Sequence, residues 1–470
     1  MLFNSAIFLL LFFVVYSLYW HLSVRGKHYL IIVASFIFYG WFSIPFLLLF
    51  LFLIIFNYYI SRILLVRKSK GLLALAVIVD VGVLAFFKYF YLFAESFGYL
   101  IGNEYIADLR VHWQRDHNLV IILPIAISFY TFQIIAWVVD CYRGTVQEDS
   151  GFRRFCVFIL FFPQFVAGPI MRASDFLPQI DNPTPSQDRM LNGCLLLAQG
   201  AVKKVLIADR IGAAIGPVWA SPSEYDAVVL VLIMPAFLAQ VFCDFSGYTD
   251  MARGLAKLLG YEIPENFNGP YLARTVTELW QRWHITLSMW LRDYVYIPLG
   301  GSRRGEFMTY ANLFFTMTLA GLWHGANWTM GLWGLLMGFY LVIERFVRVN
   351  QFLLLPDTLW ARVIQNVRTV VLFATSTILF ASPSIENSAS IVKGIASWQR
   401  AAPLASAESV IGLTLLGFLF NIPQYYRGIH NWFTPRVRLR YVLVFVLTFV
   451  VGYLINLYGD VSGSFIYFAF

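Results

Sequence analysis

Two histidines between Asn266 and Trp328 are the residues whose type and setting best suit proton-transfer chemistry. His284 occurs in the run WQRWHITLSMW and His324 in GLWHGANW, so both have apolar and aromatic neighbours. A low-dielectric site favours neutral imidazole, and neutral imidazole is the form that a general base needs. A base placed against a hydroxyl group raises the rate of its reaction roughly 10²–10⁴-fold. We interpret this stretch as the candidate active centre.

The segment around His284 has the spacing of an amphipathic helix. Trp280, His284 and Ser288 recur every four residues, so a helix would place them on one face. Glu278 and Arg282 are also four residues apart and can pair along that helix. A catalytic role for His284 therefore has an equal alternative, in which it orients or stabilises a polar network at the membrane interface.

Small residues surround His324 and predict a close approach. Gly321, Gly325 and Ala326 leave room for a backbone or a ligand. Asn327 follows three residues after the histidine, so a continuous helix would place it on the same face, where it could orient the ring or an acyl oxygen. The alternative is a satisfied core histidine, which is the commoner role of a lone histidine in an apolar helix.

The composition is that of a membrane protein that crosses the bilayer several times. Of the 470 residues, 59% are hydrophobic and 13% are charged, against about 25% charged in soluble domains. We attribute the formal charge of +8 to lysine and arginine in cytoplasmic loops, and expect no nucleic-acid partner. The four cysteines have no paired spacing, so neither a metal site nor a disulfide framework is predicted.

Long apolar runs mark the predicted spans, because a helix needs about 20 apolar residues to cross a bilayer. The first run is uncharged from Met1 to Trp20 and lacks a cleavage site, which predicts a retained first span. The predicted spans lie at about 1–20, 29–43, 45–66, 71–95, 118–140, 227–241, 329–347, 366–381, 408–421 and 441–458.

Basic residues between these runs predict the orientation of the chain. Loops rich in lysine and arginine stay in the cytoplasm. Placing the basic loops there leaves both the N-terminus and the C-terminus in the periplasm. The basic loop residues are Arg25, Lys27, Arg62, Arg67, Lys68, Lys70, Arg143, Arg153, Arg154, Arg436, Arg438 and Arg440.

The run 155–172 is too broken for an ordinary span. Pro163, Gly168 and Pro169 interrupt it, and proline removes a backbone donor and clashes with the preceding turn. Broken backbone at membrane depth is tolerated where protein or a water-filled cavity covers it. We predict a re-entrant segment, with a short kinked span as the alternative.

Two predictions concern the chain between this run and the candidate centre. The span that begins at Ala227 is expected to end near Val241, because Gly247 and Tyr248 predict irregular structure beyond it. A helix is also predicted from Met190 to about Ile215, with a charged cluster at the cytoplasmic surface. The residues of that cluster are Lys203, Lys204, Asp209 and Arg210.

Five separated blocks occur in an order typical of one enzyme family. They are FFPQFVAGPIMR, CDFSGYTDMARGLAKLLG, NFNGPY, WQRWHITLSMWLRDYVYIPLGGSR and GLWHGANW. The chain thereby resembles the bacterial membrane-bound O-acyltransferases (MBOAT family), in particular the branch that acetylates exported polysaccharides such as alginate. It is also similar to the family's teichoic acid D-alanyl transferases.

The resemblance implies an all-α polytopic membrane protein, built as an MBOAT-like bundle of about eleven transmembrane helices. Spans and re-entrant segments would surround a central funnel and tunnel. A single domain would occupy 1–470. Its parts would be N-terminal spans at about 1–140, a catalytic core at 150–347, C-terminal spans at 360–458 and a periplasmic aromatic tail at 459–470.

The resemblance also implies a reaction and its site. The family's invariant histidine falls on His324 and its second histidine on His284. The implied enzyme moves an acetyl group from cytosolic acetyl-CoA across the membrane to an exported polysaccharide, with no bound cofactor. Transfer of D-alanyl or another short acyl group to a cell-envelope polymer is the alternative. The candidate arginines for the carrier phosphates are Arg282, Arg292, Arg303 and Arg304.

Partners and location follow from the same resemblance. The implied partners are a periplasmic acetyltransferase or relay protein, the exported polysaccharide and membrane lipids. The implied location is the bacterial inner membrane, because the donor is cytosolic and the acceptor lies outside.

The uncharged tail FIYFAF, after the last predicted span, has two interpretations. It could anchor in the membrane interface, where tyrosine and phenylalanine are enriched. Related envelope acylation systems are similar in having an aromatic C-terminal motif whose tyrosine carries the acyl group. Tyr467 would then be a covalent relay, with His324 as its base.

Two other classes of protein compete with an enzyme. Intramembrane charge and broken helices also mark transporters and channels, although no inverted repeat is found in the sequence. A structural scaffold for a polysaccharide exporter is the third reading, and it predicts that His324 can be replaced without loss.

Overall fold

The computed structural model describes residues 3, 5–147, 149–165, 168–351 and 357–422. In these ranges the apolar runs fold into helices, and the strand-like pairing is limited to an isolated bridge between Tyr225 and Ala402. The chain is an all-α polytopic membrane protein, as predicted. Its contacts divide into two compact units, with the boundary between Thr184 and Pro185. A single functional domain over 1–470 stays a prediction.

The first unit begins with four helices that share one kind of start. Ser5, Ser23, Ser43 and Ser69 are their N-caps, and each serine side chain accepts a backbone N–H of the first turn. The helices of this unit are α1 (Ala6–Tyr19), α2 (Val24–Gly40), α3 (Ile44–Val66), α4 (Lys70–Ile101), α5 (Glu104–Ala107), α6 (Leu109–His117), α7 (Ile127–Arg143), α8 (Phe152–Leu160) and α9 (Ala173–Phe176).

The basic loops of the first unit contact one another. Lys68 Nζ, between α3 and α4, donates to the carbonyl of Cys141 in α7 at 2.6 Å. Arg153 Nε, at the start of α8, donates to His28 Nδ1 in α2 at 3.1 Å. Each bond brings two of the basic segments of this unit together, and that all of them lie on one face stays a prediction. That this face is cytoplasmic stays a prediction.

The run 155–172 does not form a full span. α8 has nine residues and ends at Leu160, before Pro163, whereas a span needs about 20 residues. Every side chain from Phe155 to Phe165 is buried in the protein. A short, covered helix is what the re-entrant hypothesis requires, and its depth in a bilayer stays a prediction.

The second unit is arranged around α12, most of whose side chains are buried. A π-helical turn, Val202–Ala208, joins α10 to α11 in one continuous helical segment. The helices of this unit are α10 (Gln187–Ala201), α11 (Asp209–Ala220), α12 (Ala227–Leu258), α13 (Val276–Arg282), α14 (Ile285–Leu291), α15 (Glu306–His324), α16 (Trp328–Val349), α17 (Leu359–Ala381), α18 (Ile385–Ala396) and α19 (Ala407–Leu419).

α12 is unbroken over its 32 residues, so the prediction of irregular structure after Val241 was wrong. The glycines of α12 do not end the helix. They are the positions at which α12 contacts α10. A Cβ on Gly247 would lie 2.7 Å from the carbonyl oxygen of Gly200, and one on Gly254 would lie 2.6 Å from that of Gly193. Glycines seven residues apart on both helices therefore let the two backbones touch.

The predicted surface position of Lys203 and Lys204 was also wrong. Their side chains, in the π-helical turn, are 0% and 5% exposed. Lys203 Nζ lies 2.7 Å from Asp250 Oδ2. Lys204 Nζ lies 2.6 Å from Asp244 Oδ1 and 2.8 Å from Asp209 Oδ1. The ammonium groups can be buried because aspartates, two of them on α12, neutralise them.

Six helical segments of the described part are long and apolar enough to cross a membrane, judged by length and composition. The predicted total of about eleven spans stays a prediction, and the span at 441–458 lies outside the described residues. The six segments are Ile44–Val66, Lys70–Ile101, Gln187–Ala220, Ala227–Leu258, Trp328–Val349 and Leu359–Ala381.

Candidate active site

His284 stands between two short helices, α13 and α14, in a strained conformation. Its φ of 43° and ψ of 54° fall in the left-handed region, and its side chain is fully buried. Such a backbone costs about 1–3 kcal/mol in a non-glycine residue, and strain of this kind concentrates at functional sites. The predicted continuous helix through Trp280, His284 and Ser288 was therefore wrong, because the chain turns at the histidine.

Asn266 holds the turn at His284. Its side-chain oxygen accepts from the backbone N–H of Thr286 at 3.2 Å and from the Thr286 hydroxyl at 2.8 Å. The same oxygen lies 3.2 Å from His284 Nδ1, and the Asn266 carbonyl accepts from Ile285 N–H at 3.0 Å. These bonds satisfy the start of α14 and offset the strain of the turn. His284 Nε2 is buried and has no hydrogen-bond partner among the described residues.

His324 is the last residue of α15, and α16 packs back against that helix. A Cβ on Gly321 would lie 2.2 Å from the carbonyl oxygen of Met330, and one on Gly334 would lie 2.4 Å from that of Met317. Glycine at both positions lets the two helix backbones touch. The predicted close approach at Gly321 is confirmed, and the approaching group is the backbone of α16.

Aromatic rings enclose His324, whose exposed fraction is 3%. Its ring centroid lies 5.1 Å from that of Trp323 and 5.4 Å from those of Trp333 and Phe380. The His284 ring is 6.5 Å away. His324 and its neighbours line a small cavity of about 20 Å³. The structure therefore brings the two predicted histidines together in one apolar enclosure.

Asn327 does not share a helix face with His324, so that premise of its predicted role was wrong. α15 ends at the histidine, and Asn327 is instead the N-cap of α16. Its side-chain oxygen accepts from Thr329 N–H at 3.2 Å, and its amide donates to the carbonyl of Pro383 at 2.6 Å. Asn327 fixes the start of α16, and an orienting role toward His324 stays a prediction.

A cavity of about 510 Å³ in the second unit carries arginines in its wall. Arg345 donates to both carboxylate oxygens of Glu306 at 2.8 Å, and Arg292 pairs with Asp293 at 2.6 Å. Arg348 also lines the cavity, one helical turn beyond Arg345. Guanidinium groups match the geometry of phosphate oxygens, so this wall suits an anionic ligand.

The four arginines predicted for carrier phosphates have different positions. Arg292 lies in the wall of this cavity. Arg282 pairs with Glu278 at 2.9 Å, which confirms that predicted ion pair. Arg303 and Arg304 are exposed in the loop before α15. Of the four, Arg292 thus lines the arginine-walled cavity, and its phosphate-binding role stays a prediction.

Two tryptophans in contact lie between the arginine-walled cavity and the histidine enclosure. Trp280 lines the larger cavity, and Trp333 lines the small cavity at His324. Their rings are in edge contact, with centroids 5.9 Å apart. The walls of the two cavities therefore touch at this ring contact.

Sequence reasoning missed Asn266, Arg345 and Arg348 as site residues. Asn266 belongs to the block NFNGPY, where nothing in the sequence links it to a histidine 18 residues later. Arg345 and Arg348 are three residues apart near the end of a predicted span, and that spacing could have placed them on one face. Tyr467 lies outside the described residues, so its relay role stays a prediction.

Comparison with known proteins addresses the same region. Residues 146–381 match the model of the membrane-bound O-acyltransferase family, MBOAT. A Pseudomonas aeruginosa protein named "probable alginate O-acetylase" is 43% identical over 359 residues, which are 74% of this chain and 67% of that protein. The peptidoglycan O-acetyltransferase of Helicobacter pylori is 33% identical over 382 residues, covering 73% of this chain and 70% of that one.

A more distant relative is the teichoic acid D-alanyltransferase of Bacillus subtilis. It is 27% identical over 267 residues, which are 54% of this chain and 67% of that protein. The matched family region contains both His284 and His324. The resemblance carried by the five sequence blocks is thereby confirmed, and the chain belongs to the membrane-bound O-acyltransferase family and is an acyltransferase.

Proposed function

We propose that the protein takes an acetyl group from cytosolic acetyl-CoA and delivers it across the membrane for O-acetylation of an exported polysaccharide. The observation that carries this proposal is the buried pair His284 and His324 beside an arginine-walled cavity. The names of the two more similar relatives, which specify O-acetylation of alginate and of peptidoglycan, support an acetyl group and a polysaccharide acceptor.

The donor acetyl-CoA is proposed to lie along α16, which borders both cavities. Trp333 lies at the histidine end, and Arg345 lies twelve residues further along the helix. At 1.5 Å per residue they are about 18 Å apart, a span of the order of an extended pantetheine arm. Phosphates held at Arg345 and Arg348 would leave the thioester near His324.

His324 is proposed as the general base of the transfer. It takes the proton of the attacking hydroxyl while that oxygen bonds to the thioester carbonyl carbon. The tetrahedral intermediate then collapses, the carbon–sulfur bond breaks, and the leaving thiolate takes the proton from the imidazolium. The small cavity at His324, about 20 Å³, supports a short acyl group at this position.

The step on the periplasmic side of the membrane is proposed from the sequence. Tyr467 receives the acetyl group as an aryl ester and passes it to a periplasmic acetyltransferase or to the polysaccharide. The enzyme accordingly resides in the bacterial inner membrane, with both termini in the periplasm. The positive charge of its cytoplasmic loops supports this orientation.

The test is transfer of labelled acetyl from acetyl-CoA in membranes that contain wild-type protein or His324→Ala. We expect His324→Ala to lower transfer by about 10²-fold or more, the usual range for loss of a general base. His117→Ala, at an exposed histidine that ends α6, is the matched control and should keep the wild-type rate. A wild-type rate in His324→Ala contradicts the proposal. Transfer from a D-alanyl donor but not from acetyl-CoA supports instead a reaction like that of the D-alanyltransferase relative.

A further inference from the structure

We propose that Asn266 is a positioning residue that holds His284 in the tautomer with the proton on Nδ1, which leaves the Nε2 lone pair available inside the enclosure. Both side chains are buried, with exposed fractions of 1% and 0%. The tautomer follows from hydrogen bonding alone, whereas its effect on the rate rests on the proposed function.

The first step fixes the orientation of the Asn266 amide. Its Oδ1 lies 3.2 Å from the backbone nitrogen of Thr286. A backbone N–H can only donate, so the atom facing it must be the oxygen and not the amide nitrogen. The Thr286 hydroxyl donates to the same oxygen at 2.8 Å. The amide therefore cannot be turned round without leaving the N–H of Thr286 facing another donor.

The second step fixes the proton on the imidazole. His284 Nδ1 lies 3.2 Å from that same oxygen. An amide oxygen only accepts, so Nδ1 must carry a hydrogen to bond with it. A neutral imidazole has one N–H, so the proton at Nδ1 leaves Nε2 with its lone pair. Nε2 is the buried atom with no hydrogen-bond partner among the described residues.

The third step concerns what holds the ring in place. The left-handed backbone of His284, with φ of 43°, turns the chain so that residues 284–286 fold back on Asn266. Phe245 packs edge-on against the His284 ring, with centroids 4.6 Å apart. The titratable ring that faces His284 is His324, at 6.5 Å. Asn266 thus directs a second proton acceptor into the enclosure of the proposed base.

Nitrogen-15 NMR of histidine-labelled protein in lipid bilayers tests the tautomer directly. His284→Gln identifies the His284 signals by their loss. We expect wild-type protein at neutral pH to show a protonated Nδ1 and an unprotonated Nε2. Asn266→Leu, which removes the acceptor, should redistribute the proton between the two nitrogens. Asn266→Asp keeps an acceptor and should retain the wild-type tautomer.

A second readout is acetyl transfer in the same variants. Asn266→Leu should lower kcat by about 10²-fold, the size of effect that a misplaced catalytic group produces, while the KM for acetyl-CoA stays unchanged. Asn266→Asp should restore the rate but move the acid limb of its pH profile to higher pH, because a carboxylate stabilises the imidazolium. Asn268→Ala is the matched control, since Asn268 bonds to Arg282 through its backbone N–H and carbonyl.

The outcomes separate cleanly. A wild-type His284 protonated on Nε2, or a tautomer unchanged in a folded Asn266→Leu, overturns the proposal. A changed tautomer with unchanged kcat overturns the positioning role. If Asn266→Leu does not fold, the proposal is still tested by the tautomer in the wild-type spectrum and by the pH profile of Asn266→Asp. The expected spectra without any acetyl transfer by wild-type protein contradict the proposed function and support the hydrogen bonding described here.

Discussion

Both histidines of the candidate centre stand where a helix stops. His284 occupies a left-handed turn between α13 and α14, and His324 is the last residue of α15. At such positions the side chain is aimed by caps and turns rather than by helical periodicity. Residue type and apolar neighbours therefore identified the histidines, whereas helical spacing misplaced Asn327, because α15 ends at His324.

The residue-scale prediction for His284 follows from its lone pair. His284→Gln keeps a polar side chain of similar reach but removes the titratable nitrogen. We expect acetyl transfer to fall by about 10²-fold, at the lower end of general-base effects, with protein abundance in the membrane unchanged. The measurement is transfer per mole of purified protein. A wild-type rate would reduce His284 to a structural role, which is the alternative that the sequence left open.

The prediction for Tyr467 separates a relay from a membrane anchor. Tyr467→Phe keeps the ring but removes the hydroxyl that would carry the acetyl group. On the relay account, polymer acetylation should stop as completely as in His324→Ala. The measurement is mass spectrometry of acetyl groups on the exported polymer. Phe465→Tyr is a matched control in the same tail, and full acetylation by Tyr467→Phe would leave the tail as an anchor.

At the scale of elements, a carboxylate on α16 fixes the start of the helix that leads to His284. Glu344 Oε2 accepts from the backbone N–H of Val276 at 2.6 Å, and Glu344 Oε1 accepts from that of Thr277 at 3.3 Å. These are free N–H groups of the first turn of α13, where a negative charge also suits the helix dipole. α16 therefore positions the segments that carry both histidines. Glu344 caps α13, which leads to His284, and the start of α16 follows His324 in the chain.

The corresponding prediction is that Glu344→Ala loosens α13. Loss of such a cap costs about 0.5–2 kcal/mol, so we expect a lower Tm together with reduced acetyl transfer. Glu344→Gln keeps an acceptor oxygen and should fall between wild type and Glu344→Ala. Glu408→Ala, at an exposed glutamate in the first turn of α19, is the control. Equal Tm and transfer in wild type and Glu344→Ala would contradict this account.

Helices were predicted well where local hydrophobicity determines them, and poorly where contact with a distant helix determines them. Several long apolar runs of the described part became helices close to their predicted bounds, for example 45–66 against Ile44–Val66. The span predicted at 118–140 was wrong at its start, because the helix begins only at Ile127. The end of α12 was missed because Gly247 looks like a helix breaker in isolation. Its actual role, contact with Gly200, depends on a helix about 50 residues earlier. Pairing of this kind cannot be read from local sequence.

At the scale of the whole molecule, the family could be predicted from the sequence, and the positions of buried charges could not. The local sequence around Lys203 and Lys204 does not show whether these side chains face water or a carboxylate. Their burial depends on Asp244 and Asp250, which lie 40 or more residues further along the chain. Arg345 and Arg348 of the cavity wall were missed for a similar reason, because residues of α14 and α16 come to line one cavity only in the fold.

Orientation is predicted from the basic loops and tested with single cysteines. Lys70→Cys, Gln147→Cys and Arg438→Cys should react only with reagents that reach the cytosol, whereas Glu104→Cys should react from outside. A variant lacking the four native cysteines supplies the background. Labelling of Lys70→Cys and Arg438→Cys from opposite sides would contradict the predicted number of spans between them.

The buried lysines of the second unit have a consequence for how the chain enters the membrane. When the ribosome has delivered the segment Gln187–Ala220, its carboxylate partners on α12 have not yet been made. An unpaired lysine at the bilayer centre costs about 2.5–3.5 kcal/mol. The segment should therefore wait at the insertion machinery until α12 emerges, and the two should enter the lipid together. Ribosome-bound chains whose α12 still lies in the exit tunnel should remain crosslinked to that machinery, and longer chains from which Leu258 has emerged should be released.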